Sequence, residues 1–329
     1  MLALLGLGRR TVYIDDFTGI CNRLETLVLA FALRQAYGHE IVLDWPELDS
    51  FGIEETRQGP VRMLARLGAT RLRKCEEADF RNLKDARKII QRVVEGPSER
   101  LDAVYPSLPS KIHLGAQVRE AIRELSAKVG NRPLIGIHIR RGDFEVFPDE
   151  CYDVKRTRHP AVPMWWYEWV MSEIVKKQKD ACFLLSSTSA PETHASLQRN
   201  FDVFQIALKS PYTYKGYKHW CDIHPVADLF GLAGCPVILA TPISSYSHWA
   251  ANVLGTSSTC IVPLHGTTPA DRAMGKVQLH GKRLPAWLAA GRHGEKTIRL
   301  SGEFDGVKLD AAYSKWMINP SGFRPRAVE

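Results

Sequence analysis

Several signatures that would settle a function are missing from this 329-residue chain. Its seven cysteines, at positions 21, 75, 151, 182, 221, 235 and 260, contain no Cys-x-x-Cys pair. An odd and scattered set argues against a disulfide framework and against a zinc ribbon, and the expectation is reduced thiols in a cytoplasmic protein. No stretch reaches eighteen uninterrupted apolar residues, so no transmembrane segment is expected. The apolar start, residues 1–8, has no basic leader before it and reads as the lead-in to a first strand rather than a secretory signal. Both glycine-rich phosphate loops, G-x-x-x-x-G-K-[ST] and G-x-G-x-x-G, are absent. There is no Asp-x-Asp pair to hold magnesium on a nucleotide-sugar, and the histidines and acids lack metal spacing. Neither a metal nor a cofactor is expected. Internal repeats and low-complexity tracts are absent too.

What the chain has in excess is positive charge, a net +8. That favours anionic partners without choosing among them. The cations are dense between residues 54 and 99, including Arg57, Arg62, Arg66, Arg71, Arg73, Lys74, Arg81, Lys84, Arg87 and Lys88. This region reads first as a pair of solvated helical faces. Its functional alternative is peripheral contact with a membrane surface or an anionic acceptor through the basic residues 57–92. With Phe80 its single aromatic, base stacking on nucleic acid is not expected there.

Periodicity gives the architecture. Thr11 to Asp15 reads as a strand. Leu24, Leu27, Val28 and Phe31 trace a helix stopped at Gly38, and Ile41 to Trp45 is a second strand. A strand–helix–strand unit with short loops builds parallel sheet. Leu114 to Val129 reads as a helix, and the turn cluster 130–133 is the expected domain boundary. A second alternating series follows, with strands at 134–139, 181–185, 203–206 and 236–240. Helices separate them at about 165–175, 191–201, 224–233 and 248–254. The fold class is therefore α/β, an N-terminal domain of 1–130 and a C-terminal domain of 131–329. The last forty residues are more weakly patterned and are expected to fold back on either domain.

Three strand ends in the second domain carry ligand-type groups. The first is Leu134-Ile135-Gly136-Ile137-His138-Ile139-Arg140-Arg141-Gly142-Asp143-Phe144. A buried strand rarely carries cations without an anionic partner, ligands in open α/β sheets sit at strand carboxyl ends, and arginine holds phosphate oxygens in a bidentate fork. The second end is Ser186-Ser187-Thr188. The third is Ser244-Ser245-Tyr246-Ser247 at a helix N-terminus, where backbone N–H groups and hydroxyls suit phosphate. Each serine cluster alone reads as an ordinary cap. Together with the arginine-bearing strand end they suggest a diphosphate site. Trp165, Trp166 and Trp169, at helical spacing, read as core. The stretch His219-Trp220-Cys221-Asp222-Ile223-His224 reads as a polar loop.

The His138–Phe144 stretch resembles the first signature motif of the α1,2-, α1,6- and protein O-fucosyltransferase superfamily, the nodulation-type enzymes included. Gly19-Ile20-Cys21-Asn22-Arg23-Leu24 is similar to its N-terminal Gly-x-x-Asn-Arg-Leu turn, with Leu43-Asp44-Trp45 following. Phe183 to Ser187 resembles its donor-domain strand, and Val226-Ala227-Asp228-Leu229 through Ser244-Ser245-Tyr246-Ser247-His248-Trp249-Ala250 its last motif. The resemblance implies two Rossmann-like domains facing a cleft, the GT-B glycosyltransferase type. It implies inverting, metal-independent transfer from GDP-fucose, bound in the C-terminal domain, to a hydroxyl of a glycan or other acceptor. Arg140 would hold the β-phosphate and His138 the ribose or diphosphate. Asp228 would lie near the nucleoside, with Ser244, Ser245, Tyr246, Ser186 and Ser187 completing the donor site. Asn22 and Arg23 would face the cleft from the acceptor side. The general base is left among Asp16, Asp143 and Glu145. Tyr246 departs mildly from the family pattern, and the loop from Glu145 to His159 matches none. Two alternatives stand: a transferase for another NDP-sugar, and a non-catalytic nucleotide- or nucleic-acid-binding protein.

Overall fold

The computed structural model describes residues 9–92, 96–189, 191–210, 224–254, 259–266 and 268–270, and the backbone of 276–280 and 296–299. They form two compact units, one ending at Gly115 and one beginning at Ala116.

The first unit runs β1 (Thr11–Asp15), α1 (Ile20–Tyr37), β2 (Glu40–Asp44), β3 (Phe51–Ile53), β4 (Thr56–Gln58), α2 (Met63–Arg66), β5 (Thr70–Leu72), α3 (Glu77–Asn82), β6 (Lys88–Gln91), α4 (Ser98–Asp102) and β7 (Ile112–Leu114). Five strands form a sheet in the order β4-β2-β1-β6-β5, and every neighbouring pair is parallel. Strands β3 and β7 form a small antiparallel pair. Helix α1 forms where the apolar periodicity predicts it. It ends at Gly38, whose φ of 73° is the left-handed C-cap geometry that favours glycine, and the Gly38 N–H donates to the Arg34 carbonyl.

The charged region 54–99 differs from its expected helical faces. It holds three strands, β4, β5 and β6, and β6 lies beside β1 at the centre of the sheet. These strands are only three or four residues long, and their outward arginines and lysines hide the apolar pair Ile89 and Ile90, both buried.

The second unit runs α5 (Ala116–Val129), β8 (Leu134–Ile139), α6 (Met164–Lys177), β9 (Cys182–Ser187), α7 (Ala195–Asn200), β10 (Val203–Phe204), α8 (Pro225–Ala233), β11 (Val237–Leu239), α9 (Ser245–His248), β12 (Thr259–Pro263), β13 (Lys276–His280) and β14 (Lys296–Arg299). A π-helical segment, Trp249–Leu254, continues α9. The sheet order is β10-β9-β8-β11-β12-β13-β14, parallel through β12 and antiparallel beyond it. Helix α5, placed by the sequence with the first domain, belongs to this unit, where it packs against α8. Of the last forty residues, only the backbone of β14 is described, and it extends this second sheet.

Alternate inward residues of β8 and β9 (Ile135, Ile137, Ile139, Phe183, Leu185) meet Trp166, Tyr167, Val170 and Ile174 of α6 in one apolar core. Trp165 and Trp169 pack against its edge, as expected of core residues at helical spacing. On the other side α8 approaches β8 closely. A Cβ on Gly136 would lie 2.9 Å from Leu232 Cδ2, so any larger residue there would force Leu232 to shift. The six described cysteines are buried. Among the described residues no helix is long and apolar enough to cross a membrane.

Candidate functional site

In the second sheet the chain leaves β8 toward β9 and β10, then returns to lay β11 and β12 on the other side. The order reverses between β8 and β11, and the crevice beyond their carboxyl ends is where doubly wound sheets bind ligands. His138, Arg140, Thr241 and Ser247 of α9 meet at that point.

Thr241, just past β11 and fully buried, ties the two strand ends together. Its hydroxyl donates to the His138 carbonyl at 2.8 Å and accepts the Arg140 backbone N–H at 3.0 Å. The Tyr167 hydroxyl, from α6, donates to the same His138 carbonyl at 3.0 Å. Sequence reading passed over both Thr241 and Tyr167. Their only signal was a threonine at a strand exit and a tyrosine inside a tryptophan-rich helix, and their partners lie far away along the chain.

Arg140 is fixed at the backbone by Thr241 and at the side chain by Asp143. Its Nε donates to Asp143 Oδ1 at 2.9 Å and its Nη2 to Oδ2 at 3.1 Å. A guanidinium has five N–H donors in a rigid fork, so one edge is held while N–H groups on the other remain for an oxyanion. Burial works to raise the Asp143 carboxyl, but the hydrogen bond and charge of Arg140 outweigh it and hold it below the usual range. Next to it, Arg141 is partly buried, its Nε has no hydrogen-bond partner among the described residues, and burial lowers its basicity. Glu145 is exposed. Its backbone zips the following loop shut through bonds with His159 and Ala161. Inside that loop Asp149 and Asp153 both pair with Arg156.

His138 is closed off rather than open. Its ring is buried, shares a 2.5 Å hydrogen bond with the Ser247 hydroxyl and stacks on Tyr246 with centroids 5.0 Å apart. Burial first, then the nearby Arg140 and His248, push its pKa down to about 3, so the imidazole is neutral at physiological pH. The side-chain contacts that the described structure shows for His138 are thus to Ser247 and Tyr246. The Tyr246 hydroxyl donates to the Pro225 carbonyl, which fastens α9 to the start of α8. Ser244 stands at the N-cap of α9, though its side chain makes no capping bond, and Ser245 follows it.

Asp228, on the first turn of α8, is buried and accepts a hydrogen bond from Ser186 at the end of β9. Burial pushes its carboxyl up to about 7, against the opposing effect of Ser186. Ser187 is also buried and accepts the Ser189 N–H at 3.1 Å, an ordinary turn contact. The structure thus gathers His138, Arg140 and Asp143 with Tyr246 and Ser247, and separately pairs Ser186 with Asp228.

The first sheet has a comparable reversal between β1 and β6, bridged by charge. Asp15 at the end of β1 pairs with Arg92 just after β6 and with Arg66. Burial would raise the Asp15 carboxyl, but the hydrogen bonds from Arg92 and Arg66 bring it below the usual range. Neighbouring Asp16 is half-exposed, and its carboxyl lies above the usual range. Burial is the leading cause, Arg23 opposes it, and Glu47, Asp15 and Asp44 add to it.

Arg23, expected to face a cleft from the acceptor side, is enclosed within the first unit. It is fully buried, ion-paired with the equally buried Glu47, and lies over the Trp45 ring at 5.2 Å. Its Nη1 reaches Asp16 at 3.4 Å. Asn22 donates to the Thr18 hydroxyl at 3.2 Å. Of the polar loop 219–224, residues before His224 lie outside the described set, and His224 caps α8 by accepting the Ala227 N–H. No cluster of three or more metal-ligating side chains occurs among the described residues.

No protein-family profile matches the chain, and no curated protein matches it. Solved structures do. The Arabidopsis thaliana FUT1 mutant in complex with GDP aligns over 79% of this chain and 71% of its own, at 12% identity and a TM-score of 0.51. The chain shares the FUT1 fold. The fucosyltransferase NodZ from Bradyrhizobium aligns over 77% of this chain and 96% of its own, with 16% identity and a TM-score of 0.46. POFUT1 in complex with GDP aligns over 74% and 94%, with 9% identity and a TM-score of 0.44. The α/β architecture expected from the motifs is thus the architecture observed, with parallel sheet in both units.

Proposed function

We propose that the protein is an inverting glycosyltransferase that moves fucose from GDP-fucose to a hydroxyl of a glycan or other acceptor, without a metal. The observation that carries this reading is the Arg140 guanidinium. It stands at the switch point of a parallel sheet, with its backbone pinned by Thr241 and one edge pinned by Asp143. The FUT1 fold, seen there with GDP, supports the same donor by analogy of fold.

In this reading the acceptor oxygen attacks the anomeric carbon as the bond to the β-phosphate oxygen breaks, and GDP departs from the opposite face. The charge developing on the β-phosphate is met by the open N–H groups of Arg140, already oriented before the reaction. Neutral His138 holds Ser247 and Tyr246 in place beside it, and Asp228 with Ser186 recognises the nucleoside. Of the three candidate bases, Asp16 has the chemistry best suited to take the acceptor proton. A carboxyl above its usual range is the stronger base of the two, whereas Asp143 is committed to Arg140. Asp143 is then a positioning residue and Glu145 part of the loop closure.

The test is transfer from GDP-fucose by the wild type, Arg140→Lys and Asp16→Asn. Lysine keeps the charge and loses the fork. Turnover of Arg140→Lys is expected to fall by about a hundredfold or more, the scale of removing one donor to a developing oxyanion. Asp16→Asn is expected to lose transfer and retain GDP binding. Near-normal turnover in Arg140→Lys would remove that arginine from its role. GDP binding with no transfer by the wild type would favour a nucleotide-binding protein on the same fold, as would an Arg140 that serves only as the ion-pair partner of Asp143.

A further inference from the structure

We propose that residues 56–74 form a docking surface for an anionic phospholipid bilayer. Large apolar side chains are exposed at six positions among the described residues, and three of them fall within five residues: Met63 at 77%, Leu64 at 74% and Leu67 at 55%. Such a cluster is costly on a protein surface unless something covers it. It is not a loose loop. Lys88 Nζ donates to the Leu64 carbonyl at 3.0 Å and to the Leu67 carbonyl at 3.4 Å, and Arg66 is anchored on Asp15. The backbone is held to the sheet while the apolar side chains project outward.

Charge selects the occupant. The stretch 56–74 holds five arginines and one lysine and no acidic residue. Arg57, Arg62, Arg71 and Arg73 are exposed and have no ion-pair partner among the described residues. Several exposed arginines elsewhere are paired, as Arg81 is with Glu77 and Arg123 with Glu120. A second copy of the chain seated symmetrically on this face would bring unpaired arginines against one another. A bilayer with anionic headgroups supplies both counter-charge for the arginines and an apolar layer for three protruding side chains. This surface stands independently of the transfer reaction proposed above.

The test is co-sedimentation of the full chain with phosphatidylcholine vesicles and with vesicles also containing phosphatidylglycerol, at low and high salt. The wild type is expected to bind only the anionic vesicles, and to release with salt. Met63→Ser/Leu64→Ser/Leu67→Ser and Arg62→Gln/Arg71→Gln/Arg73→Gln should each lower the partition coefficient by about tenfold or more. Both sets lie on the surface, so unchanged melting temperatures and GDP binding would show that the fold is kept. If one set fails to fold, the other decides. Absence of wild-type binding to anionic vesicles would overturn the proposal. So would equal binding to neutral vesicles, undiminished binding by a folded variant, or a concentration-dependent dimer abolished by the serine substitutions.

Discussion

Two buried titratable residues in the second unit pull stability in opposite directions with pH. His138 is held at a pKa of about 3, below its ordinary 6.5, so the unfolded chain binds its proton more readily. That contribution is complete above pH 6.5 and is lost as pH falls toward 3. Asp228 is held at about 7, above its ordinary 3.8, so here the folded chain binds the proton more readily. Its contribution is complete below pH 3.8 and is lost as pH rises toward 7. Between 3.8 and 6.5 the two slopes, each about 1.4 kcal/mol per pH unit at most, oppose one another. Urea denaturation across this window should therefore give a nearly flat wild-type profile from these two groups. His138→Gln should lose stability as pH rises and Asp228→Asn as pH falls. Slopes of the same sign in the two variants would contradict this assignment.

At the scale of elements, the close approach of α8 to β8 sets the position of the strand that carries Arg140. Gly136→Val places methyl groups against Leu232, Cys235 and Ile238, where even a Cβ would be within 3.3 Å of each. Overpacking of this kind should cost about 1–3 kcal/mol in denaturant titrations. Gly52→Val on β3 is the control: a Cβ there meets nothing within 4 Å, and it should be close to neutral. Unchanged stability in Gly136→Val would mean that the helix moves freely on the sheet.

The same scale explains what could be read in advance. Strand β8, helix α1 and helix α6 were legible because each buries a long periodic or continuous apolar run. Strands β4, β5 and β6 were not, since three or four residues among arginines carry no period. Arg140 and Asp143 were legible as chemistry because they are local to one strand end. Their supports were not: Thr241 and Ser247 meet His138 across 103 and 109 residues. Arg23 misled for a similar reason. The motif resemblance placed it toward the cleft, and only the folding of Glu47 and Trp45 onto it encloses it.

At the scale of the whole molecule, the two units repeat one plan. Each has a run of parallel strands whose order reverses beside its first strand, and each places charged side chains at that reversal. In the first unit the pair is Asp15 with Arg92, next to an acid of raised pKa. In the second it is Arg140 with Asp143. The proposed membrane surface lies in the first unit, in a stretch of six basic residues and no acidic one, and the proposed donor site in the second.

The most direct measurement is calorimetric titration of the wild type and Arg140→Lys with GDP and with UDP, in the presence of EDTA. The account predicts selective GDP binding that survives EDTA and is weakened in Arg140→Lys. Preference for UDP, dependence on a divalent metal, or equal GDP affinity in the two proteins would contradict it.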